Sequence, residues 1–128
     1  MSYLLDTQLL LWAVLDPSRM PAAAWALLND GRPPLCFSVG SIWEAGIKFN
    51  RRHRQLAVDP ELLRGQLIEH DYRELAILGE HAVAAAMLPL LHKDPFDRIL
   101  VAQATLAGIT LLTTDARLAR YPGPIRLV

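Results

Sequence analysis

Short apolar stretches recur along this sequence, separated by helix-like segments: YLL at 3–5, LCFS at 35–38, ITLLT at 109–113 and IRLV at 125–128, with the more polar RELAI at 73–77 as a weaker fifth. A strand with one wet face alternates apolar and polar residues. These do not alternate, so both of their faces must be covered. Between them the spacing predicts helices over Gln8–Leu15, Pro21–Asn29, Val39–Asn50, Pro60–His70, Gly79–Leu88, Phe96–Ala107 and Ala116–Arg120. Strands alternating with helices point to an α/β sandwich around a central, mostly parallel sheet. No repeat, low-complexity tract or domain boundary interrupts residues 1–128, so one domain is expected.

Composition narrows the function classes. Hydrophobic residues make up 52% of the chain and charged residues 20%, so an apolar oligomer face, and with it a homodimer, is plausible. Formal net charge is zero, so any binding of polyanions must come from a local patch. The lone Cys36 excludes an internal disulfide framework and suits a reducing compartment. The early apolar run, Leu9 to Leu15, is too short to span a membrane and has no basic segment before it. A cytoplasmic protein without membrane contact is expected.

Ligands of open α/β sheets bind beyond the carboxyl ends of the strands. Asp6 directly follows the first strand, Asp115 follows the strand at 109–113, Glu44 lies early in the helix after LCFS, and Asp97 lies in the first turn of the helix after Pro95. Each has an ordinary explanation. Asp6 and Thr7 are good helix caps, Ser41 and Glu44 have capping-box spacing, and Asp115 suits a turn. Asp94 before Pro95 reads as a cap with proline at the first helical position, which leaves Asp97 as a surplus carboxylate. Four such residues at one sheet end would repel each other unless a cation joined them. Oxygen-only ligands favour Mg²⁺ or Mn²⁺ over zinc.

With these residues assembled, LLDTQLLLW (4–12), SVGSIWEAGIK (38–48), HKDPFDRILVAQA (92–104) and LLTTDARLARY (111–121) resemble the PIN-domain family, most closely the VapC-like toxins of type II toxin–antitoxin systems. The resemblance covers nearly the whole chain. It implies a PIN-like three-layer α/β/α sandwich, a metal-dependent endoribonuclease, and a cognate VapB-like antitoxin as partner. It assigns metal-site carboxylates to Asp6, Glu44, Asp97 and Asp115, with Thr113 supporting them by hydrogen bonding. The chain departs from the pattern at Gln8, where relatives often carry histidine, and at RRHRQL (51–56), where a short Gly-Lys-Leu turn is common.

Other residues carry two readings each. Lys48 either pairs with Glu44 one turn away, worth about a few tenths of a kcal/mol, or leans over the acidic pocket to neutralise phosphate. Arg51, Arg52 and Arg54 with His53 either stabilise a helix end or clamp an RNA backbone. Arg98 is expected to hold Asp97 in place, and His92 either to take part directly or to brace its loop. Trp12, Trp25 and Trp43 fit core or interface packing better than base stacking. Two other functions stay open: a catalytically silent RNA- or partner-binding module, and a phosphatase with an aspartyl nucleophile. The latter usually needs a second acid two residues on, where this chain has Gln8.

Overall fold

The computed structural model describes residues 1–51 and 57–128. Five strands form one sheet: β1 (Tyr3–Leu5), β2 (Leu35–Ser38), β3 (Arg73–Leu75), β4 (Thr110–Thr113) and β5 (Ile125–Leu127). Their order is β3-β2-β1-β4-β5, and every pairing is parallel, with Leu4 opposite Cys36 on one side and Leu111 on the other. Six α-helices connect them: α1 (Thr7–Leu15), α2 (Ala22–Asn29), α3 (Val39–Asn50), α4 (Pro60–Glu69), α5 (Gly79–Met87) and α6 (Pro95–Ala107). Single 3₁₀ turns at Pro17–Arg19 and Leu118–Arg120 complete the elements.

Successive strand residues enter two different cores, as the non-alternating pattern requires. Tyr3, Leu5, Phe37 and Leu112 pack with Leu9, Leu10, Leu28, Leu63 and Leu67 from α1, α2 and α4. Leu4, Cys36 and Leu111 face the opposite way, onto Leu100, Val101 and Ala104 of α6, with Leu118 and Tyr121. The molecule is thus the expected three-layer α/β/α sandwich. Each fully buried leucine contributes about 1.5–3 kcal/mol relative to exposure, so the two layers hold the sheet from both sides. No helix among the described residues is long and apolar enough to cross a membrane.

Local chemistry sets the boundaries. Asp59 caps α4 by accepting from Glu61 N–H at 2.8 Å, and Pro60 opens the helix. Gly108 ends α6 at φ 68°, where a side chain would strain the backbone. Three expectations need correction. The strand expected over Arg73–Ile77 stops at Leu75, and its outer positions are exposed. The helix expected over Ala116–Arg120 shrinks to the 3₁₀ turn, because Asp115 organises the preceding residues by accepting from the Arg117 N–H at 2.9 Å. For Trp43 only the core half of the expected core-or-interface packing falls: it is 66% exposed, its ring edge-to-face with Phe96 at 5.3 Å. Trp12 and Trp25 do pack against the first core.

Candidate active site

The chain runs outward from β1 through β2 to β3, then returns to place β4 on the other side of β1. That reversal opens a crevice at the carboxyl end of β1. A cleft of about 240 Å³ lies there, lined by Asp6, Thr7, Gln8, Glu44, Lys48, Asp97, Thr114 and Asp115. All four carboxylates from four separate parts of the sequence therefore meet in one place.

Asp6 answers the question of cap or site by being both. Its Oδ1 accepts from Leu9 N–H at 2.9 Å and caps α1, and its Oδ2 accepts from the Thr113 hydroxyl at 2.6 Å. Burial pushes its carboxyl up to about 6; these two hydrogen bonds pull against that, and the charges of Glu44 and Asp115 reinforce it. Thr113 also accepts from Asp115 N–H at 3.0 Å, so one hydroxyl ties two of the acids to the end of β4.

Glu44 is not part of a capping box. The cap of α3 is Ser38, whose hydroxyl accepts from Gly40 N–H at 3.0 Å, because β2 passes into α3 with no loop between them. Ser41 is occupied elsewhere, accepting from the Thr7 hydroxyl at 2.9 Å and joining α1 to α3. Glu44 Oε1 is buried without a hydrogen-bond partner, while Oε2 lies 3.8 Å from Lys48 Nζ. Lys48 thus makes the helical pair and lines the cleft as well.

Asp94 caps α6, accepting from Phe96 N–H at 2.8 Å, with Pro95 at the first position. Asp97 has no share in that cap as acceptor. Burial pushes its carboxyl up to about 7, and the charges of Asp94, Glu44, Asp6 and Asp115 push the same way. Asp115 behaves oppositely. Burial works against its charge, but Arg117 and His92 outweigh burial and hold its carboxyl at about 2. Arg117 donates from Nη2 to Asp115 Oδ2 at 3.2 Å.

His92 stands between two of the acids. Its Nε2 is 2.9 Å from Asp115 Oδ2 and 3.2 Å from Asp97 Oδ2, and its Nδ1 accepts from Asp94 N–H at 3.1 Å. Arg98 does not hold Asp97, contrary to expectation. Its buried guanidinium points away and donates to the carbonyls of Ala85 (2.8 Å), Leu88 (2.9 Å) and Pro89 (3.0 Å) and to the Tyr121 hydroxyl (3.1 Å). Consecutive helical residues face different directions, so adjacency to Asp97 brings no contact. Arg51 is exposed at the end of α3, away from the cleft lining; Arg52 and Arg54 lie outside the described residues. Sequence reasoning missed Arg117 and Tyr121, and it gave Ser41 a capping role in place of its bond to Thr7. A turn after Asp115 could have suggested the first; Tyr121 bears no local signal.

A doubly covered parallel sheet with acids converging at its reversal point defines an α/β protein built to bind a ligand at its strand ends. The comparisons give the family. The sequence profile of the PIN domain matches residues 3–124. Ribonuclease VapC22 of Mycobacterium tuberculosis is 31% identical over 125 residues, 95% of each chain. Among solved structures, VapBC2 from Rickettsia felis bound to a DNA fragment from their promoter superposes with a TM-score of 0.72 at 14% identity, covering 99% of this chain and 98% of that one. VapBC-5 from Mycobacterium tuberculosis superposes with a TM-score of 0.62, also at 14% identity, covering 99% and 97%. The chain belongs to the PIN-domain family.

Proposed function

We propose that this protein is an endoribonuclease of the VapC type, the toxin of a toxin–antitoxin pair, hydrolysing RNA phosphodiester bonds with Mg²⁺ or Mn²⁺. The observation that carries the reading is Glu44 Oε1, a buried oxygen with no partner, in a cleft it shares with Asp6 and Asp97. Burial first, and the charges of the neighbouring acids after it, raise the carboxyls of Asp6 and Asp97, so that donor set is costly to ionise without a cation. An all-carboxylate set of this kind fits a hard divalent ion. Asp6, Glu44 and Asp97 would hold it, and Asp115, occupied by Arg117 and His92, would act from further out.

When bound, such an ion offsets phosphate charge and makes water acidic enough to attack phosphorus. The remaining work falls to the chain. Thr113 and Leu9 fix the Asp6 carboxylate from behind, so its free lone pairs face the cleft. Lys48 partly neutralises Glu44 and offers a positive charge at the cleft wall to an incoming phosphate. Arg51, with Arg52 and Arg54, supplies further cationic contacts to the RNA backbone.

A VapB-like antitoxin is the partner this reading implies, and the solved relatives named VapBC support it. A groove of about 280 Å³ between α1, α2 and α4, lined by Val14, Trp25, Leu67 and Tyr72 among others, suits an apolar segment of that partner. The reading places one PIN domain across residues 1–128 and works in the cytoplasm.

The test is cleavage of a labelled panel of structured RNAs with Mg²⁺, Mn²⁺ or EDTA, beside an Asp97→Asn control. Discrete products that need the metal and vanish in the variant are expected. Products that persist in EDTA or in the variant would overturn the reading. RNA binding without any cleavage would favour the silent module.

A further inference from the structure

We propose that His92 is a positioning residue: a tautomer-locked clamp that holds Asp97 and Asp115 as a pair across the cleft, and is itself no metal ligand. This rests on the reading of the carboxylates as a metal site. Donor atoms of His92, Asp97 and Asp115 lie within 4.8 Å of one another, a spacing that by itself would suit a shared cation. Hydrogen-bond accounting decides against the imidazole as a member of that set. Neutral imidazole carries one N–H and one lone pair in the ring plane. The backbone N–H of Asp94 points at Nδ1 from 3.1 Å, so Nδ1 supplies the lone pair and Nε2 carries the hydrogen. That hydrogen bonds to Asp115 Oδ2 at 2.9 Å, and Asp97 Oδ2 lies beside the same nitrogen at 3.2 Å.

Ligation through Nε2 would require the hydrogen to sit on Nδ1, donor against donor with Asp94. Asp94 cannot turn aside, because it caps α6 and precedes the rigid Pro95. The imidazole is equally fixed. His92 is 6% exposed, its backbone N–H donates to the Tyr121 hydroxyl at 3.0 Å, and its backbone carbonyl accepts from Arg98 at 3.4 Å. Arg98 therefore serves the cleft at one remove: it braces the loop from Ala85 to His92, and the loop aims the imidazole. The pair so held comes from α6 and from the segment after β4, elements with no covalent link near the cleft.

Outer hydrogen bonds that orient ligating carboxylates are typically worth about 10–100-fold in metal affinity. Two substitutions separate the two ring nitrogens. His92→Gln can keep a donor where Nε2 lies; His92→Asn can keep an acceptor where Nδ1 lies but removes the one nitrogen that lies against both Asp97 and Asp115. The measurement is Mn²⁺ binding by electron paramagnetic resonance, with full-length protein and no RNA, so it fails or succeeds independently of the ribonuclease reading. Melting in EDTA reports any purely structural loss. His92→Asn is expected to weaken Mn²⁺ binding about 10-fold or more, and His92→Gln by less than about 3-fold, although both lower the melting temperature. Equal weakening by both, or none by either, overturns the proposal. A second measurement needs no variant. Nitrogen-15 spectra of the native protein are expected to show the hydrogen on Nε2 with and without Mg²⁺; its transfer to Nδ1 on adding Mg²⁺ would establish ligation and refute the clamp.

Discussion

At the scale of single residues, Asp6 and Asp97 separate two roles that carboxylates at helix starts usually blur. Asp6 caps α1, a duty that asparagine keeps with its amide oxygen; asparagine gives up the Oδ2 that accepts from Thr113, but it also removes a buried charge crowded by Glu44 and Asp115. Asp6→Asn is therefore expected to leave the melting temperature in EDTA unchanged, whereas Asp6→Ala, which strips the cap and the acceptor of Thr113, should cost about 1–2 kcal/mol. Equal melting temperatures for the two would show that the cap carries no weight. Asp97 predicts a pH dependence. Its carboxyl is raised from 3.8 to about 7, so the folded state holds that proton more tightly than the unfolded chain does. The resulting stability is fully present below about pH 4 and is lost as pH rises through about 7; Asp6, raised to about 6, adds to it in the same direction. With both carboxyls raised, the metal-free protein should lose melting temperature steadily as pH rises across that window. Asp97→Asn should flatten most of the slope and abolish the rise produced by excess Mg²⁺. Calorimetry in EDTA from pH 4 to 8 measures both; a slope that survives the substitution would refute this assignment.

Among the elements, α6 shows what could be read in advance and what could not. Asp-Pro at 94–95 and Gly at 108 mark its ends because capping, proline and left-handed glycine are local chemistry. Asp94→Ala is expected to cost about 1 kcal/mol, seen as a lower melting temperature in EDTA, in contrast to Asp97→Asn. Arg98 was legible as important but not for the right reason. Its acceptors are Ala85, in the last turn of α5, and Leu88 and Pro89 in the loop that follows, whose path no local pattern encodes. Arg98→Ala leaves those carbonyls without a charged donor, and a loss of about 3 kcal/mol or more in urea unfolding is expected; a loss below 1 kcal/mol would mean that water replaces the guanidinium freely. The start of α3 was read at Val39, where it lies, but its cap escaped the sequence reading for a similar reason. Ser41 had the spacing of a cap, but the actual cap is Ser38, still inside β2, so strand and helix share a residue that no propensity scale separates.

For the whole molecule, topology was legible because apolar strands without alternation admit few solutions, and the positions of the four acids followed from the topology. Distances were not legible: nothing in the residue order says that Asp115 would be taken by Arg117 and His92 while Glu44 Oε1 finds no hydrogen-bond partner among the described residues. The surface leaves one further expectation. Val83 and Met87 stand one turn apart on α5, 66% and 79% exposed, with Leu90 close beyond. An apolar face of this kind supports the homodimer. Sedimentation should show a dimer that Val83→Glu with Met87→Glu dissociates; a native monomer at tens of micromolar would count against it. The all-parallel order β3-β2-β1-β4-β5 has a consequence for synthesis. The central strand β1 emerges first, but its neighbour β4, with Thr113 and Asp115, emerges only after every other contributor to the cleft. A nascent chain still lacking residues 113–115 has neither the hydroxyl that fixes Asp6 nor the second acid that His92 holds. An enzyme that cuts RNA is thereby kept unassembled while the ribosome, itself largely RNA, is still making it.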